Sequence, residues 1–157
     1  MTHQSKWYRP EIEAVSLTYQ LDPDLVEAIV RKESSGLTHA YRYEPDFFDR
    51  YLKDDPEYDG CNPRRFSASY GLMQIMYPTA RDRGYTDPPE YLFVPLVGLK
   101  WGCYHLSRLF EVVKGDVDRA LAAYNGGLGN SRKPFRPIIS AYVDGVKHNL
   151  NDIREGK

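Results

Sequence analysis

Glu33 is the residue in this chain best placed by its neighbours to act as an acid. It follows Val30 by three positions and Ile29 by four, so on a helix it continues the apolar stripe of Leu25, Val26, Ile29 and Val30. A carboxyl on that stripe is partly withdrawn from water. Gly36 marks the end of the helix, which puts Glu33 in the last turn, where the negative end of the helix dipole disfavours an anion. Both effects favour the protonated form near neutral pH. A carboxylic acid held in that form can hand a proton to a departing oxygen, as cleavage of a glycosidic bond requires. The competing reading is a solvated glutamate, or one paired with a neighbour such as Lys32.

Two other segments carry polar groups that can flank such an acid. Gly71-Leu72-Met73-Gln74 offers an amide at Gln74, and a buried amide needs partners. Leu72, Ile75 and Met76 fit core packing equally well, and Met73 has a packing reading too. Ala123-Tyr124-Asn125-Gly126-Gly127 offers a phenol and a second amide. Tyr124 also reads as an inward-facing helix residue, and Asn125 as a helix cap. None of the three segments holds a second acid. A glycosidase that uses a carboxylate nucleophile needs one about 5 Å from the first, and an inverting enzyme needs one further away. Candidates lie only elsewhere, in Glu44, Asp46, Asp49, Asp54, Asp55, Glu57 and Asp59, where the plainer reading is solvated surface charge.

The elements that must position these groups read as helices. Pro10 to Gln20 is the first. Asp22-Pro23 opens the second, with Asp as N-cap and Pro at the first helical position. A short helix is expected from Gly71 to Arg83, broken near Pro78. Leu96, Leu99, Cys103, Leu106, Phe110 and Val113 recur at steps of three and four, which predicts a long helix from about Val94 to Lys114. Asp116 caps the next, with Val117, Ala120, Leu121 and Tyr124 on its apolar face. The last runs from about Pro137 to Asp152, with Ile139, Val143, Val146 and Leu150 inward. No β-strand run, repeat or low-complexity tract stands out. Residues 39 to 66 are different: seven aromatics lie among acids and three prolines, too aromatic for a flexible linker. This stretch is expected to pack on the rest, with a short helix from Pro45 to Lys53.

Size and composition exclude several classes. The chain has 157 residues, 41% hydrophobic and 27% charged, which suits one domain with a real core. A net charge of -1 argues against nucleic-acid binding. No apolar run is long enough to span a membrane. Met1 to Lys6 lacks the apolar stretch of a secretory leader. The two cysteines, Cys61 and Cys103, are too few for a disulfide scaffold; Cys103 reads as a small core residue, with a bridge to Cys61 as the alternative. There is no metal-ligand spacing and no cofactor fingerprint, so no metal or organic cofactor is expected.

In this order and with these helices, the three segments resemble the catalytic domain of lytic transglycosylases of the soluble, goose-lysozyme-like type. The resemblance covers roughly residues 10 to 150 apart from the long 39–66 connection, which relatives make much shorter. It implies an all-α, lysozyme-like single domain over 1–157, acting as a monomer on the glycan strands of peptidoglycan, in the periplasm, at the cell wall, or associated with a phage or secretion route. It implies that Glu33 is the single acid and base, with Ser34, Met73, Gln74, Tyr124 and Asn125 near the sugar. Tyr124 is expected to point its hydroxyl at the acid. Ser69 stands where many relatives have a small residue and reaches substrate on this reading. Tyr142-Val143 resembles a further element near the site, with core packing as the alternative for Tyr142. The implied chemistry closes a 1,6-anhydro ring on muramic acid without water. A water-using muramidase or chitinase of the same fold, and a non-catalytic wall-binding module, are the rivals.

Overall fold

A computed structural model describes residues 6–157. Met1 to Ser5, most of the stretch read above for a leader, lies outside the described residues. Six helices form the frame: α1 (Arg9–Thr18), α2 (Pro23–Ser34), α3 (Tyr77–Asp82), α4 (Pro95–Val112), α5 (Val117–Gly126) and α6 (Pro137–Arg154). Proline opens five of the six within the first two positions, where its missing N–H costs nothing. Asp22 and Asp116 cap α2 and α5 with side-chain bonds to the backbone N–H groups of Asp24 and Arg119, as their positions predict.

The helices enclose one core. α2 lies along α6, α1 rests on α2 and α4, and α5 packs between α4 and α6. Ile12, Val26, Ile29, Val30, Leu99, Cys103, Leu106, Leu121 and Val146 are all fully buried there. The stripe predicted for α4 is inward from Leu99 onward, but Leu96 and, on α5, Val117 are 53% and 40% exposed. Both sit in first turns, where their helices reach past the core.

The expectation of no strands is wrong. Three short strands, β1 (Tyr41–Tyr43), β2 (Ala68–Tyr70) and β3 (Ile75–Met76), form an antiparallel sheet in the order β1-β2-β3. Strands of two and three residues are too short to show an alternating pattern. The helix expected from Gly71 is also corrected. Residues 71–74 are a turn, 75–76 a strand, and the helix starts at Tyr77, so Pro78 falls in a first turn and breaks nothing.

Residues 39–66 build a second core. The helical segment Pro45–Leu52 and the turn Pro63–Phe66 fold over the sheet. Leu52, Tyr58, Ala68, Tyr70, Ile75, Tyr77, Tyr85 and Leu92 are buried together, with Phe47, Phe48, Phe66, Phe93 and Trp101 against them. The rings meet edge-on, Tyr58–Phe66–Tyr77–Tyr85–Trp101 in sequence. α4 joins the two cores, with Trp101 on the aromatic side and Cys103 on the helical side. The two cysteines therefore lie in different cores, and both are free thiols. No helix among the described residues is long and apolar enough to cross a membrane.

Candidate active site

α2 ends where Ser35 and Gly36 take positive φ, 54° and 77°. Glu33 stands half-buried in the last turn before that stop. Because α2 and α6 lie side by side, Tyr142 comes within reach although 109 residues away, and its hydroxyl donates to Glu33 Oε2 at 3.0 Å. Burial pushes the Glu33 carboxyl up to about 7; the Tyr142 bond and the charges of Arg42 and Lys32 pull the other way, and Glu44 adds to the rise. Glu33 is thus poised between acid and base near neutral pH, the condition for one group to do both jobs. Burial holds the Tyr142 phenol neutral, well above its ordinary range, so it remains a donor.

The Gly71–Gln74 turn is fixed by its own polar groups. The backbone N–H of Gly71 donates to the Ala40 carbonyl at 2.8 Å. The Gln74 side-chain amide donates to the carbonyls of Ala40 (2.9 Å) and Gly71 (3.1 Å). Both amide hydrogens are engaged, so Gln74 has only its Oε1 to offer a ligand. Gly71 has φ 76°, and a Cβ there would lie 2.5 Å from the Leu92 carbonyl, so the turn closes against that segment only with glycine. Met73 points the other way. It is fully buried, with the Cys103 thiol donating to its sulfur at 3.8 Å, and it fills the space left by Gly102. Its side chain is a core residue in this structure.

The other residues singled out in the sequence are placed as follows. The Tyr124 hydroxyl donates to the Met73 carbonyl at 2.7 Å, so it holds the turn; the charge of Glu33 acts on this buried phenol too, but the hydrogen bond to the acid comes from Tyr142. Ser34 donates to the Val30 carbonyl at 3.1 Å and accepts from the Gly36 N–H at 3.2 Å, which finishes the helix. Asn125 is exposed in the last turn of α5. Ser69 is buried on β2, opposite Arg42 on one side and Met76 on the other.

Sequence reasoning missed three residues near this site. Arg42, on β1, contributes a positive charge felt at Glu33, and a strand of three residues offered no pattern by which to find it. His105 stacks at a tilt on Tyr124, ring centres 5.6 Å apart. Arg83 Nε donates to His105 Nδ1 at 3.2 Å, which fixes the neutral ring with its proton on Nε2; burial and Arg83 push its pKa down to about 4. Of the seven acids in the insertion, Asp46, Asp49, Asp54, Glu57 and Asp59 are exposed and Asp55 caps a helical turn. Glu44 differs, half-buried beside Arg42 and felt at Glu33.

A cavity of about 890 Å³ lies elsewhere, among Tyr19, Leu25, Tyr104 and Leu150 at the opposite end of α2. It has roomy walls and no acid–base pair of this kind. Among the described residues no group of three His, Cys, Asp or Glu side chains is arranged to hold a metal.

The Transglycosylase SLT domain family matches residues 11–137. A protein of Enterobacteria phage PRD1 described as a transglycosylase is 33% identical over 156 residues, covering 96% of this chain and 45% of that protein. The chain thus spans less than half of that relative. Among solved structures, an inactive glutamate-to-glutamine mutant of the lytic transglycosylase Slt from Pseudomonas aeruginosa superposes with a TM-score of 0.68 at 23% identity, over 90% of this chain and 23% of that one.

Proposed function

Since the chain belongs to the transglycosylase SLT domain family, we propose that it cleaves the glycan strands of peptidoglycan non-hydrolytically, with Glu33 as the acid and then the base. The observation that carries this reading is the half-buried Glu33 carboxyl, raised to about 7 and bonded by Tyr142. In the first step, protonated Glu33 gives its proton to the oxygen leaving C1 of the muramoyl residue, and the C1–O bond breaks. The sugar's N-acetyl group assists from the same residue. In the second step, the Glu33 carboxylate takes the proton of the C6 hydroxyl as O6 bonds to C1, closing the 1,6-anhydro ring. Glu33 ends as it began, and no water is consumed.

The surrounding groups are assigned roles that fit their geometry. Tyr142 orients the carboxyl and stabilises its anion between the two steps. Gln74 Oε1 accepts a sugar hydroxyl, and Asn125 and Ser69 line the approach. Tyr124 acts through the backbone of the turn that it holds. The inactive glutamate-to-glutamine mutant of the Pseudomonas protein supports a role for one glutamate in that enzyme. The reading places the substrate at the cell wall, in keeping with a phage relative described as a transglycosylase. Replacing Glu33 by Gln is expected to abolish release of soluble fragments from purified sacculi while the circular dichroism spectrum stays unchanged. Near-wild-type release by a pure, folded variant would refute it.

A further inference from the structure

Among the described residues, Arg83 is a half-buried cation that forms no ion pair with a carboxylate. It is the C-cap of α3, the helix that leaves the catalytic turn shortly after Gln74. Its Nε donates to His105 Nδ1 on α4 at 3.2 Å. An arginine can only donate, so Nδ1 accepts and the imidazole stays neutral. Half-buried Arg9 is held differently, by Glu13, Asp24 and Glu27. Withdrawing a guanidinium from water without a counter-charge is unfavourable, and a bound carboxylate restores the balance. With Nε spent on His105, Nη1 and Nη2 remain as a planar fork, which matches the two oxygens of a carboxylate. Arg83 keeps part of its surface open, so a ligand can reach it. The pair is also tied to the catalytic turn. The His105 ring lies against Tyr124, centres 5.6 Å apart, and the Tyr124 hydroxyl holds the Met73 carbonyl at 2.7 Å. A row of side chains from three helices thus runs from Arg83 to the turn that carries Gln74.

We propose that Arg83 binds a carboxylate of the peptide carried by the glycan strand, and so selects peptide-bearing strands, with His105 as the positioning residue that aims it. The inference rests on the transglycosylase reading of Glu33, which supplies the substrate. The lactyl group of each muramoyl residue is joined to its peptide through an amide, so the anions of a peptide-bearing strand sit on the peptide itself. A peptide of four residues reaches up to about 14 Å. That is longer than the Tyr124–His105 and His105–Arg83 separations combined, so a peptide hanging from a sugar on the turn can cross the row and place a carboxylate on the Arg83 fork. No bond is made or broken at Arg83. Its contribution is to binding, and the charge on the substrate is what it reads.

The experiment measures kcat/KM of the whole chain on three soluble substrates: peptide-bearing strands, the same strands with their carboxylates chemically amidated, and strands stripped of peptide, which keep only the lactyl carboxylate. The wild type is expected to prefer the unmodified strands over the amidated ones at least tenfold, through KM, because a charge-assisted fork is lost on amidation. Stripped strands should behave like the amidated ones. Arg83→Gln is expected to bring the ratio of unmodified to amidated strands close to one, whatever it does to overall turnover. Arg83→Lys, which keeps the charge without the fork, should give an intermediate ratio. His105→Phe, which keeps a ring against Tyr124 but removes the acceptor, should lower the ratio as well and serves if Arg83→Gln does not fold. A wild type that uses unmodified and amidated strands equally, or a ratio unchanged in the folded variants, would overturn the role of Arg83 and leave the reading of Glu33 standing. Stripped strands used as well as peptide-bearing ones would overturn the peptide as the source of the carboxylate. A wild type that cleaves none of the three would instead overturn the transglycosylase reading.

Discussion

The raised pKa of Glu33 has a consequence for stability that can be measured without substrate. An acid whose pKa is higher in the folded state binds its proton more tightly there than in the unfolded chain. Its contribution is therefore most favourable below the unfolded value and is lost as pH rises through the folded one. Here the window runs from 4.5 to about 7. The difference between those values corresponds to about 3 kcal/mol of destabilisation, complete above pH 8, as an upper figure for a half-buried group. Glu33→Gln keeps the shape and the acceptor for the Tyr142 hydroxyl but removes the ionisation. Relative to the wild type, the variant should gain stability as pH rises from 4.5 to 8.5. For a chain of this size the gain corresponds to roughly 6 to 12 °C in Tm. Thermal unfolding of both proteins, followed by circular dichroism at the two pH values, gives the difference directly. Wild type and variant curves that keep a constant separation across that range would show that Glu33 titrates like an ordinary surface acid, and the reasoning would fail.

Other expectations follow from named contacts. Tyr142→Phe removes the hydrogen bond that favours ionised Glu33, so the alkaline fall in activity should move to higher pH while turnover drops; an unmoved pH–rate profile would deny the contact a role. Gly102→Ala would place a Cβ 2.5 Å from the Met73 sulfur, and overpacking of this kind costs about 1–3 kcal/mol; denaturant unfolding checks the loss, and activity should fall with it because the catalytic turn shifts. Glu27 is buried between Arg9 and Arg31, at 3.3 and 2.7 Å; Arg9 also holds Glu13 and Asp24, so Glu27→Gln, which removes the shared anion, should cost about 1.5–3 kcal/mol by the same unfolding measurement.

The helices and the half-buried place of Glu33 in the last turn of α2 were legible because each rests on a local pattern. Asp22-Pro23, the stripe through Ile29 and Val30, and the stop at Gly36 all lie within fifteen residues, and together they locate Glu33. The sheet was hidden because its strands are two or three residues long and their pairing spans the insertion. The aromatics of that insertion advertised packing, which is what most of them do. Met73 shows the limit of a motif: residues in one short segment can face opposite ways, and only the close approach allowed by Gly102 reveals which. Tyr124 and Tyr142 illustrate the same limit at long range. Both are inward phenols on neighbouring helices, and which one reaches the carboxyl depends on how α5 and α6 lie against α2.

The most direct test of Glu33 as the acid and base of a non-hydrolytic cleavage is mass spectrometry of the soluble products from purified peptidoglycan, with Glu33→Gln alongside. Fragments ending in 1,6-anhydromuramic acid as the main product, absent from the variant, are the predicted result. Products that end only in reducing muramic acid, or anhydro products that persist in the variant, would contradict it.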